Sequence, residues 1–330
     1  MEENKKENVF KKILKKEVII SLVVGLLVGA GIMFFVNGGF VARVGGKAIT
    51  TGSLYNKMKD YYSINLVLED VDAVILNKKY HLTEGEIDDM KTMADKYISQ
   101  YEQYGYSEEE FLSENGFEDY DSFVDYLSLD YKRTIYFYDY LETKLEDNAV
   151  KTYYDENAFG KISNKHILIT TSDDMTDEQA LAVANEIISR LNDGEDFDTL
   201  AEEYLEKYPN NAVNEDLGEV GAFDNLETEY IDALKTLEKD KYTETPVKTS
   251  YGYHVIYCTN KTEKTEEISR DDKMAIVNIL AEDIMNEDSN LYYKTLINMR
   301  KESNLKFYDK DLKTKYEEYC AQYVDEATEE

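Results

Sequence analysis

The chain has 330 residues, 69 acidic against 37 basic, and a formal net charge of −32. That length bounds about two domains with room for a real core. A uniformly acidic surface repels phosphate backbones and argues against a nucleic-acid partner. The first 16 residues run against the trend, with six lysines and three glutamates. Val18 to Val36 follows without a charge; at about 1.5 Å per residue it just spans a bilayer core of about 30 Å. The lysines predict a cytoplasmic N-terminus and an extracytoplasmic main domain. The reading is a basic cytoplasmic tail over 1–17 and an uncleaved, single-pass anchor in the cell membrane over 18–36. A cleaved signal has the same charge pattern, but no clear small-x-small site follows Val36. Asn37-Gly38-Gly39-Phe40 lacks the cysteine of a lipid attachment site.

Residues 41–50 read as a hairpin around Gly45-Gly46. Helices follow: Thr83 with Glu86 and Ser107 with Glu110 have capping-box spacing, and Phe123, Leu127 and Tyr131 recur every four residues. The pattern changes near residue 161. Ile162 to Thr170 reads as a strand and Thr176 caps a helix that Gly194 ends. Phe197 to Tyr204 is a second helix, Asp216-Leu217-Gly218 a turn, and Tyr230 to Leu237 a third helix. Pro246 to Thr259 is a strand pair. The unit over 161–260 is α+β. Helix resumes after a polar linker, with Ile276, Leu280 and Ile284 on one face. Leu305 to Tyr308 is strand-like and Asp309 caps a last helix. This final stretch is too short for a core of its own, so it is expected to pack onto the first helical region.

Tyrosine is abundant, at 29 residues, and tryptophan absent. A ring with a polar tip suits either a wet binding surface or a helical core. Cys258 and Cys320 lack metal or redox spacing, which leaves a disulfide between them open. Two histidines, His166 and His254, stand on strands on either side of the helices of the α+β unit. They serve either packing or a site.

Several motifs resemble the parvulin family of peptidyl-prolyl isomerases. They are Lys165-His166-Ile167-Leu168, Gly194-Glu195-Asp196-Phe197 with Leu200-Ala201, Asp216-Leu217-Gly218, and Pro246-Val247-Lys248-Thr249 through Tyr251-Gly252-Tyr253-His254. The flanks are similar to extracytoplasmic foldases of the PrsA and SurA type, at 41–50, Tyr153 to Asn157, and Asn304 to Leu312. The resemblance implies an α+β protein with an N-terminal transmembrane helix. A helical chaperone domain would be formed by 41–157 and 268–320, with a parvulin-like domain inserted over 161–260 and an acidic tail over 321–330. It implies isomerisation of X–Pro bonds in unfolded secreted proteins, with neither metal nor cofactor, and it is compatible with a homodimer. The rival reading is a holdase whose parvulin domain has lost catalysis; a scaffold with neither activity is a third.

On the family pattern, His166 and His254 would be a mutually hydrogen-bonded pair at the pocket floor, with Thr249 and Ser250 in their network. Leu226 and Tyr230 would wall the proline pocket where the family usually has methionine and phenylalanine. Leu217 and Phe223 are further pocket candidates. The family's cysteine or aspartate after the second helix is missing: Lys207 or Tyr208 falls there, with Glu206 as another register. Asn214-Glu215 replaces the usual Gly-Gly. These departures bear on catalytic strength. No Arg-Lys cluster for a phosphorylated substrate stands near the site.

Overall fold

The structure is a computed structural model that describes residues 39–61 and 63–324. The expected basic tail and the anchor over 18–36 lie outside the described residues, as does most of the acidic tail. Among the described residues no helix is long and apolar enough to cross a membrane. The architecture is mixed helix and sheet, and it divides into two compact units.

The first unit runs to Lys132 and resumes at Leu296. It opens with a hairpin of β1 (Phe40–Val44) and β2 (Lys47–Thr50), turning at Gly45-Gly46. Helices α1 (Thr51–Tyr61), α2 (Ser63–Lys79), α3 (Glu84–Glu102), α4 (Glu108–Asn115) and the first half of α5 (Tyr120–Glu142) follow. Both expected capping boxes form, on Thr83 and Ser107, so two backbone donors at each helix start are satisfied reciprocally. Met90, Ala94 and Ile98 of α3 meet Phe111 and Leu112 of α4 and Phe123 and Leu127 of α5 in one apolar cluster. The C-terminal segment adds the end of α12 (Leu291–Glu302) and α13 (Lys310–Ala321), capped by Asp309. Leu305 to Tyr308, read as strand-like from sequence, is irregular. Arg300 of α12 and Asp72 of α2 form a buried two-bond ion pair, each bond 2.7 Å long.

The second unit covers Arg133 to Thr295. Its helical part holds the end of α5, α6 (Ala149–Asn157), α10 (Arg270–Leu280) and α11 (Glu282–Glu287) around Leu141, Tyr154, Ile276 and Val277. Between α6 and α10 lies the sheet. Strands β3 (Ile162–Thr170), β4 (Ala212–Val220), β5 (Lys241–Tyr242), β6 (Val247–Thr249) and β7 (Gly252–Lys261) are all antiparallel. Their order is β4-β3-β7-β5, with β6 also on β7. Helices α7 (Asp177–Asn192) and α8 (Phe197–Lys207) cover one face, and α9 (Thr228–Thr236) covers the other. Strand alternation divides the core: Ile167, Ile169, Tyr253 and Val255 face α7 and α8, while Ile162, Ile256 and Cys258 face α9.

Asp216-Leu217-Gly218 is not a free turn. It belongs to β4, where Leu217 is the extra residue of a bulge against Asn164 and Lys165. The β3–β7 core leaves no room at Gly252: its φ is +143°, and a Cβ there would lie 2.2 Å from the Ile169 carbonyl oxygen. Both cysteines are free thiols, so the disulfide left open by the sequence is not formed.

Candidate functional site

The two strand histidines meet because of strand register. Leu168 stands opposite His254 and His166 opposite Ile256, so the histidines are diagonal neighbours on one face of the β3–β7 pair. Their rings lie 4.9 Å apart between centroids, edge to face at 70°. Both are buried, with 4% and 5% of their surface exposed. Tyr230, in the first turns of α9, leans over both, its ring 5.6 Å from His166 and 5.2 Å from His254.

The hydrogen bonds differ from the expected mutual pair. Tyr230 Oη donates to Asn164 Oδ1 at 2.7 Å. Asn164 is oriented by its Nδ2, which donates to the carbonyls of Ile162 and Gly218. A phenol has one proton, so at the 3.2 Å contact with His166 Nδ1 the tyrosine oxygen accepts. His166 is thereby held as the Nδ1–H tautomer with its Nε2 lone pair free to accept. His254 turns Nε2 to Thr249 Oγ1 at 2.8 Å, and that hydroxyl also accepts the Tyr251 N–H. His254 Nδ1 is buried without a partner. Each imidazole is therefore fixed by a hydroxyl rather than by the other ring.

The hairpin β6–β7 places Thr249. It turns through Ser250 and Tyr251 alone, with Thr249 paired to Gly252 and Val247 to His254. Thr249 is buried in this turn, whereas Ser250 points outward and donates to Glu227 Oε1 at 2.7 Å. Of the eight candidate residues, the structure gathers His166, His254, Thr249 and Tyr230. Leu217 packs with Tyr230 in the apolar layer beneath α9. Phe223 does not join them: its ring packs against Tyr153 and Tyr154 of α6, at 6.1 and 6.0 Å. Leu226 is partly exposed on the rim of a cavity beside α9.

One residue of this cluster escaped the sequence reading, and another, noted there only as a departure from the family pattern, stands beside the cluster. Asn164 is completely buried; its position two residues before His166 on the same strand face was the available signal. Glu215 stands directly across from His166 in the β3–β4 register and is exposed. Strand pairing alone reveals it. The altered stretch is the end of the second helix itself: Tyr204 is a buried core residue of α8 and Lys207, its last residue, reaches Glu186 at 3.5 Å.

Desolvation dominates the electrostatics. Burial lowers the pKa of His166 from 6.5 to about 4. Burial, and then the neighbouring His166, lower that of His254 to about 3. Burial, and then the charge of Glu215, push the Tyr230 phenol up. At neutral pH the cluster is two uncharged imidazoles and two hydroxyls: a polar but chargeless floor. Among the described residues no group of three or more His, Cys, Asp or Glu side chains is placed to hold a metal ion. Such a floor can orient an amide and tune the polarity around it without forming a bond to it.

Residues 166–260 match the Rotamase family, the PPIC-type PPIase domain. Foldase protein PrsA of Geobacillus sp. (strain WCH70) is 33% identical over 219 residues, 66% of this chain and 70% of that protein. Foldase protein PrsA of Pediococcus pentosaceus is 29% identical over 306 residues, 87% of this chain and 92% of that one. The crystal structure of foldase protein PrsA from Streptococcus pneumoniae aligns over 87% of this chain and 100% of its own, at 18% identity and a TM-score of 0.46.

Proposed function

The chain belongs to the PrsA family of foldases and carries a parvulin-type peptidyl-prolyl isomerase domain; from that premise we propose that it is a membrane-anchored extracytoplasmic foldase. It isomerises X–Pro bonds in translocated proteins as they fold. The observation that carries this reading is the buried cluster of His166, His254, Thr249 and Tyr230 inside the matched domain.

Resonance makes the planar amide a charge-separated group with a barrier of about 18–20 kcal/mol to rotation. An X–Pro bond crosses it unaided in tens to hundreds of seconds. In the twisted state that charge separation is lost. A dry floor of neutral imidazoles therefore favours the twisted bond over the planar one, and it does so without reorganising. We assign the unpartnered Nδ1 of His254, which carries the ring proton when the Thr249 hydroxyl donates to Nε2, to a hydrogen bond with the nitrogen of the twisting amide, and His166 to the polarity beside it. Leu217 and Leu226 supply apolar surface for the pyrrolidine ring, and Thr249 and Tyr230 hold the imidazoles in place. Ser250 acts indirectly, tying the hairpin turn to Glu227 at the start of α9.

The charge-free stretch over 18–36 serves as the anchor, with the basic tail 1–17 on the cytoplasmic side. The domain boundaries that accompany this reading are 41–157 and 268–320 for the client-holding helices and 161–260 for the isomerase. A holdase with a weak isomerase is the second reading. It is favoured by the near-complete burial of both histidines and by Lys207 or Tyr208 at the family's acidic or thiol position. Refolding of a secreted protein whose slow phase is X–Pro isomerisation separates the two. The foldase accelerates that phase at catalytic concentrations. A holdase lowers light scattering and leaves the slow phase at its uncatalysed rate. Protease digestion of intact cells tests the topology: only the N-terminal tail and the anchor, residues 1–36, are protected.

A further inference from the structure

Helix α9 has two working faces. Tyr230 and Leu234 turn one toward the histidines and the sheet. Ile231, Asp232 and Lys235 turn the other into a cavity of about 690 Å³, whose opposite wall is Tyr138 of α5 and Met274, Asn278 and Ile279 of α10. Resting on the isomerase reading above, we infer that this cavity binds the stretch of an unfolded client that flanks its X–Pro bond.

Three features define the chemistry of the occupant. First, the walls leave apolar surface in water: Leu226 is 36% and Ile279 46% exposed, and covering such surface gains about 25 cal/mol per Å². Second, the polar groups between them are amides. Asn278 Oδ1 accepts the Tyr138 hydroxyl at 3.0 Å, and its NH₂, like the side chain of Asn225, has no partner among the described residues. Carboxamides match the N–H and C=O groups of an extended backbone whatever its sequence. Third, the lining carries Asp224, Asp232 and Lys235, one net negative charge that does not favour a phosphate or another anion. Apolar walls with spare amides suit an unfolded polypeptide, and the volume lies within the range of ligand pockets.

Continuity with the histidine cluster says which polypeptide. Leu226 lines the cavity. Its neighbour Glu227 accepts the Ser250 hydroxyl, and Ser250 adjoins Thr249, the partner of His254. Tyr230 lies one turn further along α9. A chain whose proline sits over the histidines continues past the start of α9 into the cavity.

The test uses a labelled 12-residue peptide with a central Ala–Pro and apolar residues on both sides, beside an Ala–Pro tetrapeptide too short to reach the cavity. The variants are Ile279→Glu, which puts a charge on the exposed wall, and Asn278→Ala, a truncation that keeps the fold if the first does not. The expected result is a rise of about tenfold or more in the Kd of the long peptide for both variants, with kcat/KM for the tetrapeptide within about twofold of wild type. An unchanged long-peptide Kd overturns the inference. So does a concentration-dependent dimer that Ile279→Glu abolishes, which would put a second copy of the chain in the cavity. Absence of tetrapeptide turnover in the wild type would defeat the isomerase reading instead, and the Kd comparison would still decide the cavity.

Discussion

Tyr230 is the residue on which the site's geometry turns. Its hydroxyl links Asn164 to His166 and so selects one imidazole tautomer. Tyr230→Phe strands the Asn164 carboxamide in a buried position. We expect a loss of about 1–3 kcal/mol in urea unfolding. The double variant Asn164→Ala/Tyr230→Phe, which removes both polar groups, should recover part of that loss. The ¹⁵N shifts of His166 should report a tautomer mixture in the single variant. The same burial sets the pH response. Unfolded imidazoles titrate near 6.5, the folded ones near 4 and 3. Between those values the unfolded chain binds protons that the folded chain refuses. The stability these groups contribute is full above pH 6.5 and falls as the pH drops toward 3. Isomerase activity should be flat from pH 8 to pH 5; a step near pH 6.5 would mean that the imidazoles are solvated and titrate freely. The strand histidines and Thr249 were readable as a group from their motifs. Their hydrogen-bond partners were not, because a hydroxyl on α9 and an amide on β3 meet only after the sheet has formed.

At the scale of elements, the hairpin β6–β7 positions the site. Thr249 reaches His254 only because two residues turn the chain and Gly252 passes against the Ile169 carbonyl. Gly252→Ala should cost at least about 1–3 kcal/mol from backbone strain, added to a clash with β3. The expected signature in hydrogen exchange is early loss of protection in β6 and β7. The helices here were legible in the sequence because caps and apolar spacing are local: the boxes at Thr83 and Ser107, the cap at Thr176 and the strand from Ile162 to Thr170 all stand where the pattern put them. Strand β4 was not. Its residues alternate poorly, since most of its length is exposed at the sheet edge, and Asp216-Leu217-Gly218 mimics a turn where the chain only bulges. The same miss concealed Glu215 beside His166. Phe223 illustrates the opposite limit: an aromatic near a pocket motif was drawn to the nearer tyrosines of α6.

For the whole molecule, the first unit depends on a contact between distant parts of the sequence. Asp72 and Arg300 are 228 positions apart and both fully buried. Burial alone would lower the guanidinium pKa; the bonds to Asp72 more than offset it and keep the group charged. Asp72→Ala leaves that charge uncompensated and should cost about 3–5 kcal/mol in guanidinium unfolding. Replacing both partners with apolar residues of similar size should be far milder. A net charge of −32 disfavours contact with a phosphate backbone. The central claim is that the histidine cluster turns X–Pro bonds. It is tested most directly by the cis-to-trans rate of an Ala–Pro tetrapeptide at pH 7 for the wild type and for His254→Ala, with folding of the variant checked by its far-UV spectrum. The account predicts a rate well above the uncatalysed one in the wild type and a loss of about tenfold or more in the variant. A wild-type rate equal to the uncatalysed one, or a folded variant as active as the wild type, would contradict it.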